Sequence, residues 1–215
     1  MRRSLFLQVV AGFCAIAGAA LAQPSPQHQT VIVHEGTSMA VAVSPDGKML
    51  AMDLQGSIYH LKEDFPELDI LAPEKISEIP QLEYDLIFVD TPPYLSNRLN
   101  ELFSNSDYVL VPTKAGFFDV MAIKSTLALI KFSQAQNQRL KAGIVLNMIK
   151  PRSGITAEVV DLLSSLGTPL LNTRIFDRVS LARSSMTSGI LKSTDQKAIE
   201  EVTLLAEEIV NIISL

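Results

Sequence analysis

Asp90 closes an apolar run, Tyr84–Val89, and is followed at once by Thr91-Pro92-Pro93, which stops the strand. A carboxylate delivered to the carboxyl end of a buried strand is what nucleotide-binding α/β proteins use to hold the water shell of a Mg²⁺ carried by ATP. An aspartate before Thr-Pro-Pro is also good turn chemistry by itself, so residue types alone leave both readings open. The companion signal of such a site, the phosphate loop G-x-x-x-x-G-K-[ST], occurs nowhere. The only Gly-Lys pair, Gly47-Lys48, is followed by Met49 and has Ala42 where the first glycine belongs. Half of an ATP site is therefore expected, and no catalytic lysine can be assigned.

These residues need a scaffold, and 215 residues suffice for one full domain with a small appendage. A hydrophobic content of 47% with 19% charged residues excludes a disordered chain. The net charge of −5 excludes a global basic field for nucleic acid, so any DNA contact must come from a local patch. Arg2 and Arg3, the apolar Leu5–Ala19 and the small-residue site Ala20-Leu21-Ala22 predict a secretory signal, with an uncleaved anchor as the other reading. Cleavage after Ala22 leaves 16 basic against 23 acidic residues and removes Cys14, the only cysteine. The mature chain could then form no disulfide, would carry no stable membrane span and would be exported to the periplasm.

Three segments follow: a signal peptide over 1–22, a linker and all-β segment over 23–61, and an α/β domain over 62–215. In the second, Thr30–Val33, Met39–Val43, Met49–Asp53 and Ser57–Leu61 read as short strands, with a turn at Ser44-Pro45-Asp46-Gly47-Lys48. Residues 35–56 resemble the first blade of TolB-like β-propellers of exported proteins. A lone blade cannot bury its own faces.

From Lys62 the pattern changes to apolar strands alternating with amphipathic helices. Strands are expected at Leu68–Leu71, Tyr84–Asp90, Asp107–Pro112, Lys141–Ile149 and Leu170–Ile175. Helices are expected at Asn97–Phe103, Phe117–Phe132 and Gly154–Leu166, and from Ser193 onward with a Ser193/Gln196 capping box. This order predicts an α/β fold: a parallel sheet with helices on both faces, preceded by the short all-β segment. One strand of that segment is also available to fill a central place in the sheet.

Tyr84–Pro93, Ser106–Thr113, Gly143–Asn147, Asn172–Arg183 with Gly189, and the tail Leu191–Leu215 together resemble the ParA/MinD family of P-loop ATPases, most closely the short ParF-like plasmid partition branch. The resemblance spans residues 62–215 and lacks the family's phosphate-loop front. It implies ATP and Mg²⁺ as cofactors, with Asp90 as the Walker B carboxylate acting through water. Asn147 would reach the adenine edge, since an amide offers both donor and acceptor; capping the strand end is its other reading. The loop Ile175–Arg178, including Asp177, would flank the base. Arg178 and Arg183, with Lys150 and Arg152, would form the local patch by which ATP-bound dimers grip DNA phosphates, although scattered surface arginines are the commoner explanation. The family also implies a homodimer, a centromere-binding partner protein and a cytoplasmic setting, which conflicts with the signal peptide. His28, His34 and His60 show no metal-ligand spacing.

The functional expectation is a partition ATPase domain impaired by the missing phosphate loop, so whether the chain is an enzyme stays open. The alternatives are an exported non-enzymatic protein carrying a propeller fragment, or a chimeric joining of two reading frames near residues 61–63.

Overall fold

Short, mostly apolar stretches of three to nine residues recur along the chain and find one another as a single parallel sheet. The structure, a computed structural model, describes residues 29–33, 49–53, 69–71, 86–91, 97–150, 157–183 and 189–213. Its strands are β1 (Gln29–Val33), β2 (Met49–Asp53), β3 (Asp69–Leu71), β4 (Leu86–Asp90), β5 (Tyr108–Thr113), β6 (Lys141–Ile149) and β7 (Leu170–Phe176). They lie in the order β3-β2-β4-β1-β5-β6-β7. Every pairing is parallel. The helices are α1 (Asn97–Ser104), α2 (Phe117–Ala122), α3 (Lys124–Gln134), α4 (Ala157–Ser165), α5 (Val179–Arg183) and α6 (Gln196–Ile213).

The propeller-like reading of residues 30–61 needs correction. β1 and β2, the two strands of that segment that are described, pair parallel with β4 of the α/β half, and β1 takes the central place between β4 and β5. Propeller blades are antiparallel. A five-residue apolar strand announces that it is a strand but not its neighbours, and an open slot between two buried strands offers more burial than a lone hairpin. The sheet thus runs across the expected junction at residues 61–63. The leader over 1–22, the strands expected at Met39–Val43 and Ser57–Leu61, the three histidines and Arg152 lie outside the described residues.

Both faces of the sheet are covered. All six β5 residues are buried, and in β6 only Lys141 is exposed. Since alternate strand residues face opposite sides, Val109 and Val111 join Leu99, Leu102 and Phe103 of α1 and Leu127 and Ile130 of α3 in one core. α6 packs along β7 and buries Ala198, Val202, Leu205, Ala206, Ile209 and Val210. Each buried Leu, Ile or Val of that stripe contributes about 1.5–3 kcal/mol. Most of the expected elements are present, but the single helix expected over Phe117–Phe132 is split. At Ile123 (φ −77°, ψ −9°) the amide turns back to the Met121 carbonyl. Val120, Ile123, Leu127 and Ile130 keep the spacing of one helical face across the break and all reach the core, whereas Phe117 and Phe132 stand 60% and 58% exposed.

The start of α6 also differs from expectation. Its cap is Asp195, whose Oδ1 accepts the Ala198 amide at 3.2 Å, while Ser193 Oγ accepts the Asp195 amide one step earlier. Asp195→Ala should therefore cost about 1 kcal/mol and Ser193→Ala clearly less; urea melts of the two variants measure the difference, and equal midpoints would restore the Ser193 box.

Candidate nucleotide site

In an open parallel sheet, ligands bind outside the carboxyl ends of the strands, where successive connections leave in opposite directions. Here that point is the end of β1. The chain moves to one side for β2, β3 and β4 and to the other for β5, β6 and β7. The register places Val33, the last residue of β1, level with Asp90 of β4 on one side and Leu110 of β5 on the other. Asp90 is 7% exposed and Thr91 2%, so the carboxylate is delivered to the crevice with little water around it.

The register also shows a position that sequence reasoning passed over. Asp53, the last residue of β2, pairs with Asp90. Two aspartates thus end neighbouring strands at one level. The signal was visible, since Met49–Asp53 is a short apolar run closed by aspartate, as Leu86–Asp90 is; it was absorbed into the propeller-like reading instead.

Asn147 lies near the end of β6 and is 1% exposed. Leu146 pairs with Thr113, three residues beyond the level of Val33, so at about 3.3 Å per residue and 4.8 Å per strand Asn147 stands roughly 16 Å from the end of β1. That is the reach of an extended nucleoside triphosphate. Asn147 Oδ1 accepts the Met148 amide at 2.8 Å, and Met148 adopts a positive φ of 53°. The side-chain amide therefore does the work of capping the strand end. A non-glycine residue in this region is uncommon and clusters at ligand sites.

The other expected residues divide. Ile175 is fully buried and serves the core. Asp177 is exposed, and its backbone amide donates to Ile149 O at 2.8 Å, which brings it beside the end of β6. Arg178, expected to face DNA phosphates, is engaged within the molecule. Its Nε donates to Glu201 Oε1 at 3.1 Å, its Nη2 donates to the same oxygen, and its Nη1 lies 3.9 Å from Asp195 Oδ1. The hydrogen bond to Glu201 holds the guanidinium even more firmly protonated than usual. Arg183 is exposed at the end of α5, and Lys150 is exposed just past β6. The structure thus groups Asp53 and Asp90 by β1, and Asn147, Asp177 and Arg178 by the end of β6. Asp195 and Glu201, the acids that fix Arg178, carried no local signal because they lie 17 and 23 residues away from it in sequence.

The central β1, the aspartate-ended strands beside it and the doubly covered parallel sheet define an α/β fold of the ParA/MinD P-loop ATPase type. The chain belongs to the AAA domain family, which matches residues 23–142, more than half of its length. It is similar to the maintenance of carboxysome distribution protein A of Halothiobacillus neapolitanus, with 25% identity over 191 residues, covering 81% of this chain and 88% of that protein. Two further relatives, named as ParA family proteins of Chlamydia trachomatis and Mycoplasma genitalium, are 24% identical, and the chain spans 62% and 61% of their lengths. Among solved structures, the cell division ATPase MinD of Pyrococcus furiosus superposes with a TM-score of 0.65 at 17% identity, covering 98% of this chain and 94% of that one. The ATP complex of Cyanothece McdA gives 0.63 at 11% identity, covering 87% and 98%. Among the described residues, no helix is long and apolar enough to cross a membrane.

Proposed function

We propose that this chain is a ParA/MinD-type positioning protein that takes up a Mg²⁺-bound adenine nucleotide in the crevice beyond β1 and turns it over poorly, if at all, by itself. The observation that carries this reading is the buried Asp90 carboxylate, level with the end of the central strand at the point where the connections diverge. Asp90 holds the cation through water, and Asp53 ends the neighbouring strand at the same level. Asn147 faces the adenine edge and Asp177 flanks it. The residues fit the metal and base ends of a nucleotide.

The phosphate end is different. Without the lysine and backbone amides of a G-x-x-x-x-G-K-[ST] loop, the charge that develops during phosphoryl transfer has no preorganised counter-charge. Bound nucleotide would therefore act as a conformational ligand, as in a protein that positions cargo through dimers. A homodimer, a centromere-binding or cargo-binding partner and non-specific DNA contact complete the proposal. Arg178 is poorly suited to the DNA contact, because its charge is compensated by Glu201 and Asp195.

Titration of fluorescent mant-ATP with and without Mg²⁺ tests the reading. Binding should require Mg²⁺, and Asp90→Asn should weaken the Mg²⁺-dependent part about tenfold, equivalent to about 1.4 kcal/mol. Phosphate release should stay at the buffer background. Binding indifferent to Mg²⁺ and to Asp90 would sink the site, and steady Mg²⁺-dependent turnover by the purified chain would overturn the claim of poor hydrolysis.

A further inference from the structure

Resting on the nucleotide reading above, we propose that Glu201 of α6 is a positioning residue for the base-side wall, and that the preference for adenine over guanine depends on it. The wall is the segment Phe176–Ser180, which follows β7 and turns past the end of β6. It is pinned from two directions. On the sheet side, the Asp177 amide donates to Ile149 O at 2.8 Å, two residues beyond Asn147. On the helix side, Glu201 takes three donors: the Phe176 amide at 3.1 Å, Arg178 Nε at 3.1 Å and Arg178 Nη2. Asp195, six residues earlier at the cap of α6, accepts Ser180 Oγ at 2.6 Å and draws the far side of the same guanidinium. The guanidinium carbon lies 5.9 Å from the centre of the Phe176 ring, so the arginine is held across its plane as well as along its edge.

The Glu201 side chain is 14% exposed and that of Arg178 22%, so the pair is partly desolvated and its geometry is forked, the arrangement in which Arg–carboxylate contacts give orientation as well as energy. No other charged group described in the wall faces this pair except Asp195. Asp177 sits between the two tied residues with its own side chain exposed. Its position relative to Asn147 is therefore set by the clamp and by the Ile149 bond together. A base recognised by the Asn147 amide on one side and the Asp177 segment on the other would sense their separation. Adenine and guanine present opposite donor and acceptor orders on the edge that faces the amide, so discrimination requires the Asn147 amide and the Asp177 segment to keep one fixed orientation toward the base.

The test compares mant-ATP and mant-GTP affinities of the full chain with those of Glu201→Gln and Arg178→Lys, each with and without Mg²⁺, alongside thermal melts. Glu201→Gln keeps the shape and removes the charge; Arg178→Lys keeps the charge and removes the fork. Both should lower the ATP-over-GTP ratio about five- to tenfold while the Mg²⁺ dependence stays intact. Leu204→Ala, on the exposed side of α6, should leave the ratio unchanged. A lower melting temperature with an unchanged ratio would reduce the clamp to scaffolding and overturn this inference while the nucleotide reading stood. Should Glu201→Gln fail to fold, Arg178→Lys decides the question by the same ratio. A parent chain that binds neither nucleotide overturns both the inference and the reading beneath it.

Discussion

Gly143→Ala should destabilise the fold by about 1–3 kcal/mol, the usual cost of overpacking a filled interior. A Cβ at this position of β6 would lie 2.2 Å from the Tyr108 hydroxyl, 3.3 Å from its ring and 3.1 Å from a Leu171 methyl. Tyr108 is fully buried in β5, and its hydroxyl has no hydrogen-bond partner among the described residues. Burial, and after it the charge of Glu208, pushes the phenol well above its usual range, so the ring is a neutral, filled and polar-tipped plug. Because the clash is with one oxygen, it should be separable. Tyr108→Phe removes an orphaned buried hydroxyl and is expected to be neutral or stabilising by about 1 kcal/mol. In the double variant the cost of Gly143→Ala should fall by at least about 1 kcal/mol, a coupling that a thermodynamic cycle of denaturant melts measures directly. Strict additivity would show that the Tyr108 hydroxyl is not what Gly143 makes room for.

What could be read from the chain alone follows the range over which each interaction acts. β6 was legible to the residue at both ends because nine residues, apolar at almost every position, admit no other element in an α/β alternation. α6 was legible from its stripe. Its cap was not: Ser193 and Asp195 both precede plausible first turns, and the choice falls to Asp195, which Ser180 and Arg178 also engage from an element upstream. The break at Ile123 is likewise invisible locally, since the helical period continues through it and Val120 and Ile123 are buried on the face an unbroken helix would give them.

The site was legible in proportion to the same range. Asp90 announced itself because a strand and its terminal carboxylate are contiguous. A strand of residues 23–61 was available for the central place beside it, but that β1 is the one was not legible, because strand order is a non-local property and residues 35–56 carried a competing local resemblance. Asp53 was lost for that reason. The fate of Arg178 was the least legible: its neighbours in sequence suggest an exposed basic loop, and only the fold brings Glu201 to it. Where a residue's role depends on elements more than a turn away, its type and spacing describe what it is able to do and leave open what engages it.

Glu208→Ala should cost about 2 kcal/mol near neutral pH, and the cost should shrink on acidification. β7 is an edge strand of the sheet, and an edge presents unpaired amides. Glu208 of α6 covers them. Its Oε1 accepts the Asn172 amide at 2.8 Å and Asn172 Nδ2 at 3.1 Å, and its Oε2 accepts the Thr173 amide at 2.9 Å. Burial by itself would raise the Glu208 carboxyl, but the hydrogen bonds from Thr173 and Asn172 outweigh it and the net shift is downward. A depressed folded-state value means that the unfolded chain takes up the proton first. The stabilisation is therefore complete above the ordinary glutamate value of about 4.3 and is lost as pH falls through the lower folded value. Parent and variant should differ most from about pH 5 upward, and the gap should narrow as the pH falls below the ordinary glutamate value, as chemical denaturation across that range will show; a gap that stays constant with pH would mean the side chain acts by packing alone. Amide exchange at Asn172 and Thr173 should quicken in the variant. With Glu201 accepting the Phe176 amide of the same strand, α6 emerges as one element with two duties: its last turns shield the sheet edge, and its first turns brace the wall beside Asn147. Loosening the edge at Glu208 should therefore leave nucleotide selectivity in place, whereas loosening Glu201 should not.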